Sequence, residues 1–191
     1  MREIDAQTAM EQRIGFRLSS LREQRGWTLD DLAERTQISR ATLSRIERGE
    51  LSPTARMLGA LCSIYGWTLS RLMTDAESNA GELVRLPLQI EWKDVDTGYW
   101  RRAISPPAPG LRGEMVEVKL PPGCVVSYDA APVIGLEHHL WMMQGRLRLT
   151  VGGTDFELEP GDCLRYVLKG SSRFEGLGEE TVHYVIAMVN P

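Results

Sequence analysis

The spacing of apolar residues changes once along this chain, near residue 81, and that change limits the fold more than any other feature. Up to residue 73 apolar positions recur at three- and four-residue steps, as in helices with one buried face. Beyond residue 81 they alternate with polar positions in short runs separated by Pro and Gly, as in strands. Thr74 to Gly81 (TDAESNAG) is small, polar and poor in helix formers, and reads as a linker. The expectation is α + β in separate domains, with helices over 10–73, a linker over 74–81 and an all-β unit over 82–191. No useful helical period survives past the linker, so the second unit is expected to be a sandwich or barrel.

Five short helices account for the first part. Residues 10–25 place Ile14, Leu18 and Leu21 on one face, and Gly26 ends the run as a C′ glycine would. Two helices follow, near 28–35 and 39–48, with Gly49 closing the second. Ser52-Pro53-Thr54 opens a fourth, where a capping hydroxyl and an early proline suit the first turn. Met57, Leu58, Leu61 and Ile64 supply its buried face, and Gly66 stops it. The fifth runs from Thr68 to Met73.

Thr28 to Thr54 (TLDDLAERTQISRATLSRIERGELSPT) has the layout of a helix-turn-helix. Thr28 and Ser39 can each cap a helix, because their hydroxyls satisfy orphan backbone N–H groups. Thr36-Gln37-Ile38 forms the turn between them. Leu29, Leu32, Ala33, Ile38, Leu43 and Ile46 suit two crossed helices packed on each other. Arg40, Ala41, Thr42, Ser44 and Arg45 are left pointing outward, with no acid between Ser39 and Ile46. Arginines, small residues and hydroxyls on one exposed helix face fit the major groove of double-stranded DNA.

The net charge of −4 fits that partner only once it is divided. Residues 1–73 hold eleven Arg, no Lys and nine acids, a charge of +2, and the remainder carries −6. Phosphate contact is therefore expected at the front of the chain alone.

The front end resembles the Cro/repressor-type, or XRE, helix-turn-helix family over about residues 10–73, with SRATLSRIERGELSP a specific part of the match. The resemblance implies that the second motif helix is the recognition helix. Ser39, Arg40, Ala41 and Thr42, with Arg45 one turn on, then meet bases and phosphates, and Thr28, Ser44 and Arg48 flank them. Arg40 or Arg45 are the candidates for guanine, and Thr42 or Ser44 for phosphate. A homodimer reading a palindromic operator, with half-sites ~34 Å apart, is the expected assembly. In the turn, where the family has glycine, this chain has Gln37, and slight backbone strain is expected there.

The back end resembles the cupin family, a small double-stranded β-helix barrel, through GRLRLTVGGTDFELEPGDCL and Pro160-Gly161-Asp162. The candidate strands are Leu88 to Trp92, Met115 to Leu120, Leu140 to Met143, Arg146 to Val151, Asp155 to Leu158, Cys163 to Leu168 and Val182 to Val189. Together the two ends resemble the HTH–cupin transcriptional regulators. Metal-dependent cupins bind their ion with an HxH pair, a Glu and a distant His. Here the HxH positions align with Pro132 and Ile134, the Glu position with His138 (or Glu137), and the last His with Ser172. No metal, no cofactor and no catalytic residue are therefore expected, and the barrel becomes a sensor of a small-molecule effector, a dimer platform, or both. The alternative is a metal-dependent cupin enzyme fused to a DNA-binding domain, with a rearranged site of His138, His183 and Glu137. Adjacent strand residues point to opposite faces, so His138 and His139 cannot share an ion.

Effector-pocket candidates are Tyr128, His138, Leu140, Met142, Arg165, Tyr166 and His183. Arg165 is the candidate partner for an anion such as a carboxylate. Cys62, Cys124 and Cys163 stand far apart with no CxxC spacing and read as free thiols. No apolar run approaches the ~20 residues of a membrane span, and the N-terminus lacks a signal-peptide core. A cytoplasmic protein without a membrane partner is expected.

Overall fold

A computed structural model describes residues 2–74 and 82–191. Five helices come first: α1 (Arg2–Gln24), α2 (Leu29–Thr36), α3 (Arg40–Glu47), α4 (Ala55–Tyr65) and α5 (Leu69–Met73). A single 3-10 turn, Leu86–Leu88, precedes ten strands. These are β1 (Glu91–Lys93), β2 (Trp100–Ser105), β3 (Gly113–Leu120), β4 (Val125–Tyr128), β5 (Glu137–Gln144), β6 (Arg146–Val151), β7 (Thr154–Leu158), β8 (Cys163–Val167), β9 (Ser172–Leu177) and β10 (Val182–Val189).

Hydroxyl caps set where helices begin. Thr28, Ser39, Thr54 and Thr68 each sit in extended backbone and accept from the N–H three residues on. Such a cap stabilises by ~1 kcal/mol. Thr28 also completes a capping box with Asp31. The first helix begins before residue 10, the expected start, and Gly26 follows it with φ of 65°. Met10, Ile14, Leu18 and Leu21 bury against Leu43, Ile46, Leu58 and Leu61. Gly15 is what lets α1 cross α3 so closely. A Cβ there would stand 2.4 Å from the Ile46 carbonyl oxygen and 2.8 Å from that of Glu47.

The strands form two antiparallel sheets, one ordered β1-β2-β3-β10-β5-β8 and the other β4-β9-β6-β7. β10 is central in the larger sheet, pairing with β3 on one side and β5 on the other. Its register places Val182, Tyr184, Ile186 and Met188 inward and His183, Val185, Ala187 and Val189 outward. The expected first strand, Leu88 to Trp92, is shorter: Leu86–Leu88 turns as a 3-10 helix with proline early in it, and pairing begins at Glu91. Strands β2, β4 and β9 lie outside the expected set. The expected linker, apart from Thr74, falls outside the described residues; Thr74 is buried, with its N–H and hydroxyl on the Ser70 carbonyl.

The two units do not stand apart. One continuous buried cluster runs from α1 into the barrel. Helix α4 lies on β4 so closely that a Cβ on Gly59 would meet the Tyr128 ring at 2.4 Å. Buried Asp94 reaches across to cap α4, its Oδ2 accepting from Ala55 N at 2.7 Å. Arg101 of β2 donates to Ser70 Oγ of α5 at 2.7 Å.

Candidate nucleic-acid interface and barrel cavity

Helices α2 and α3 meet through Leu32, Ile38, Leu43 and Ile46, all buried. Gln37 sits between them with φ of 58° and ψ of 22°, the single left-handed non-glycine residue among those described. Its Nε2 donates to the Glu34 carbonyl at 2.6 Å, a local bond that offsets part of the strain. Arg22 of α1 makes a two-pronged bond to Glu47, 2.8 Å at each oxygen, which fixes α3 against α1.

On α3 the predicted contact residues divide into free and engaged groups. Arg40, Ala41 and Arg45 are exposed, whereas Thr42 and Ser44 are half-buried. The Arg45 side chain makes no hydrogen bond or ion pair among the described residues. Arg40 faces Asp30 at 3.3 Å, an exposed pair of little energetic weight. The Ser39 and Thr42 hydroxyls bond each other at 2.8 Å while Ser39 caps the helix, and exposed Thr28 serves its own box. Arg48 is held by both oxygens of Glu50 at 2.7 and 2.8 Å, which raises its basicity and lowers the Glu50 carboxyl. The barrel packs on α4 and α5, so this face of α3 is left open.

Behind it lies a cavity of about 90 Å³ at the barrel's helical end. Its wall is mostly apolar: Val116, Val118, Val126, Phe174, Ile186 and Met188 contribute, and Gly59, Cys62, Thr68 and Leu69 close it from the helices. Three of the four positions aligned with metal ligands reach this wall, namely Pro132, His138 and Ser172. The fourth, Ile134, is 88% exposed. The wall thus holds one imidazole where a metal cupin places three and a carboxylate. Among the described residues no three His, Cys, Asp or Glu side chains gather as an ion would need.

His138 is buried, and its Nδ1 lies 2.9 Å from the Tyr166 hydroxyl. Burial, with a smaller contribution from His139, pushes its pKa down to about 4. No other acceptor meets the Tyr166 hydroxyl among the described residues, so the phenol donates to Nδ1 and Nε2 carries the ring hydrogen. Nε2 itself has no partner. Cys62 is an inert wall residue, its thiol pushed up to about 12 by burial.

Of the predicted pocket residues, Tyr128 and His138 line the cavity and Tyr166 supports His138 from behind. Leu140 and Met142 do point inward with His138, but they are fully buried in the core and do not line the cavity. Arg165 is exposed: β8 alternates, so Leu164 and Tyr166 take the inward positions and Arg165 takes the outer face. His183 is also on the outer face, its Nε2 2.8 Å from Glu117 Oε1, and Arg102 bonds the other oxygen of that carboxylate. Burial works to raise the Glu117 carboxyl, but these two bonds outweigh it and hold it below its ordinary value. Glu137 is outward too, 3.9 Å from His139. A rearranged metal site of His138, His183 and Glu137 is therefore excluded by geometry, since the sheet separates the first from the other two.

The residue that sequence reasoning missed is Arg101. It lines the cavity while only 7% exposed. Alternation along Trp100-Arg101-Arg102 could have shown one arginine in and one out, had β2 been recognised as a strand.

A docked pair of capped helices with an open cationic face, ahead of a two-sheet barrel with a cavity, defines a helix-turn-helix protein with a C-terminal β-barrel. Residues 13–72 match the family model described as a helix-turn-helix domain. The chain is 31% identical to the HTH-type transcriptional regulator SutR of Escherichia coli K12, over 87% of this chain and 89% of that one. It is 25% identical to the HTH-type transcriptional regulator PuuR of the same organism, over 77% and 78%. An HTH_3 family transcriptional regulator from Vibrio cholerae has the same fold, with a TM-score of 0.76, 21% identity and coverage of 97% and 99%. The chain belongs to the HTH-type transcriptional regulators, and here the helix-turn-helix head is followed by a two-sheet β-barrel.

Proposed function

We propose that α3 enters the major groove of double-stranded DNA, with Arg45 and Arg40 reading base edges and Ser39, Thr42, Ser44, Thr28 and Arg48 arranged around the backbone. The observation that carries this reading is the uninterrupted, acid-free outer face of α3 on the side away from the barrel. Residues 10–73 form the reading domain and 82–191 the barrel, with 74–81 joining them. Two copies bind a palindromic operator in the cytoplasm. Trp141, Met143, Met115 and Val167, each at least two-fifths exposed on the outer face of the larger sheet, support a dimer contact there. Among the described residues no helix is long and apolar enough to cross a membrane.

The barrel acts as a sensor and not as an enzyme, since the wall offers one imidazole for ligation and a thiol silenced by burial. An effector regulates only by binding two arrangements of the reading heads unequally. The test is capture and sequencing of genomic DNA bound by the full chain. A shared palindromic motif that Arg45→Ala weakens is the expected result. Random captured sequence, or affinity unchanged in both Arg40→Ala and Arg45→Ala, overturns the placement of α3. Elemental analysis of the purified chain is expected to find no stoichiometric transition metal, and an ion lost on His138→Ala would restore the enzymatic alternative.

A further inference from the structure

The cavity has one feature that a hydrophobic core does not need. Arg101 is more than nine-tenths buried in its wall, and an arginine keeps its charge in any protein interior. The one hydrogen bond of its side chain among the described residues goes to a neutral hydroxyl, Ser70 Oγ. No carboxylate stands within ion-pair distance of it. Glu114 is close enough to interact electrostatically and has the Thr68 and Ser70 hydroxyls near its carboxyl, but it makes no direct ion pair with Arg101. Burial raises the Glu114 carboxyl, favouring its neutral form and weakening it as a counterion. A buried cation with no close ion pair is costly, and such a charge is ordinarily paired.

We propose that the cavity binds a small monocarboxylate, its carboxylate on Arg101 and its hydrocarbon part among Val116, Val118, Val126 and Phe174. This deepens the sensor reading above and rests on it. Size follows from volume. About 90 Å³ is several times the ~10–15 Å³ that a single water needs, so a ligand of several non-hydrogen atoms fits. His138 adds a second, neutral donor in the wall through the orphaned Nε2. The site is complete only when the helices are docked, because Cys62, Thr68 and Leu69 form its lid and Ser70 holds Arg101. Occupancy therefore stabilises the docked arrangement by mass action.

The experiment is calorimetric titration of the full chain with hexanoate, and with hexanamide as its neutral isostere. Hexanoate is expected to bind about tenfold or more tightly than hexanamide, a difference of ~1.4 kcal/mol. Gly59→Leu, which prises α4 from Tyr128, is expected to weaken it. Equal binding of the two ligands overturns the role of Arg101 without requiring any variant. Absence of binding by every straight-chain carboxylate from butanoate to octanoate overturns the ligand class. Hexanoate binding that survives Val118→Phe, which fills the cavity, overturns the location. Captured operator with no bound carboxylate sinks this proposal alone, whereas bound hexanoate with no captured DNA sinks the regulator reading.

Discussion

The two ends of this chain keep their chemistry on opposite sides of the fold. The helical end buries most of its apolar residues, Phe16 apart, and turns Arg40 and Arg45 outward into water above a dry core. The barrel does the reverse: Arg101, His138 and Tyr128 face an interior space, and the outer sheet surface carries Trp141 and Met143. An outward face can meet a polymer of any length, whereas an inward one can meet only what fits. On the function proposed above, that difference divides DNA reading from effector sensing.

The strongest test of that contrast is Gly15→Val. No side chain fits beneath two carbonyls, and overpacking against backbone is expected to cost ~3 kcal/mol or more. Circular dichroism should show loss of helix and a lowered melting temperature. Unchanged melting would mean that α1 does not cross α3 as described.

Next is the pH response of the barrel. His138 is held neutral down to about pH 4, against about 6.5 when unfolded, so the unfolded chain binds more protons in between. Stability contributed by the neutral ring is whole above pH 6.5 and is lost as pH falls toward 4. The full difference approaches ~3 kcal/mol at 1.36 kcal/mol per pKa unit. Urea unfolding of the chain and of His138→Asn, at pH 7.5 and 4.5, should show the variant losing less on acidification. Parallel losses would move His138 out of a buried setting.

Smaller again is Arg45→Ala, expected to weaken operator binding by about 1–3 kcal/mol while leaving melting unchanged. Arg48→Ala should weaken it less in a salt titration, because Glu50 already holds that guanidinium. A larger effect at Arg48 would reverse the ranking of free over engaged arginines.

The smallest effect concerns the turn. Gln37→Gly relieves a left-handed residue, worth ~1–2 kcal/mol, but adds ~0.4–1 kcal/mol of unfolded-state freedom and removes the bond to Glu34. The net change in melting is expected to be slight, and Gln37→Val should destabilise clearly.

The helical end was legible because its signals are local. A hydroxyl cap and a terminal glycine are read within five residues, and Thr28 and Ser39 cap as expected, whereas α4 is capped by Thr54, so Pro53 lies ahead of the cap and not in the first turn. The barrel was legible where inward positions are apolar, as in β6 and β10, which match their expected bounds. It was illegible where inward positions are polar or missing a side chain. Arg101 in β2 and Ser172 and Gly176 in β9 break the alternation that marks a strand. An arginine for an anion was expected at Arg165. Parity along β8 sends that side chain out, and only the fold brings Arg101, more than sixty residues earlier in the chain, to the cavity.

Asp94 has a consequence for how such proteins can be recombined. It supplies a carboxylate to the first turn of α4 from a loop of the barrel, so the helical unit borrows part of its own helix end from the other domain. Joining this reading head to a relative's barrel would transplant the DNA-facing helix intact. The borrowed cap, however, would come along only if the new partner offered an acid at the same place. The two parts are interchangeable in sequence order but matched in fit, like a lid threaded for a single jar.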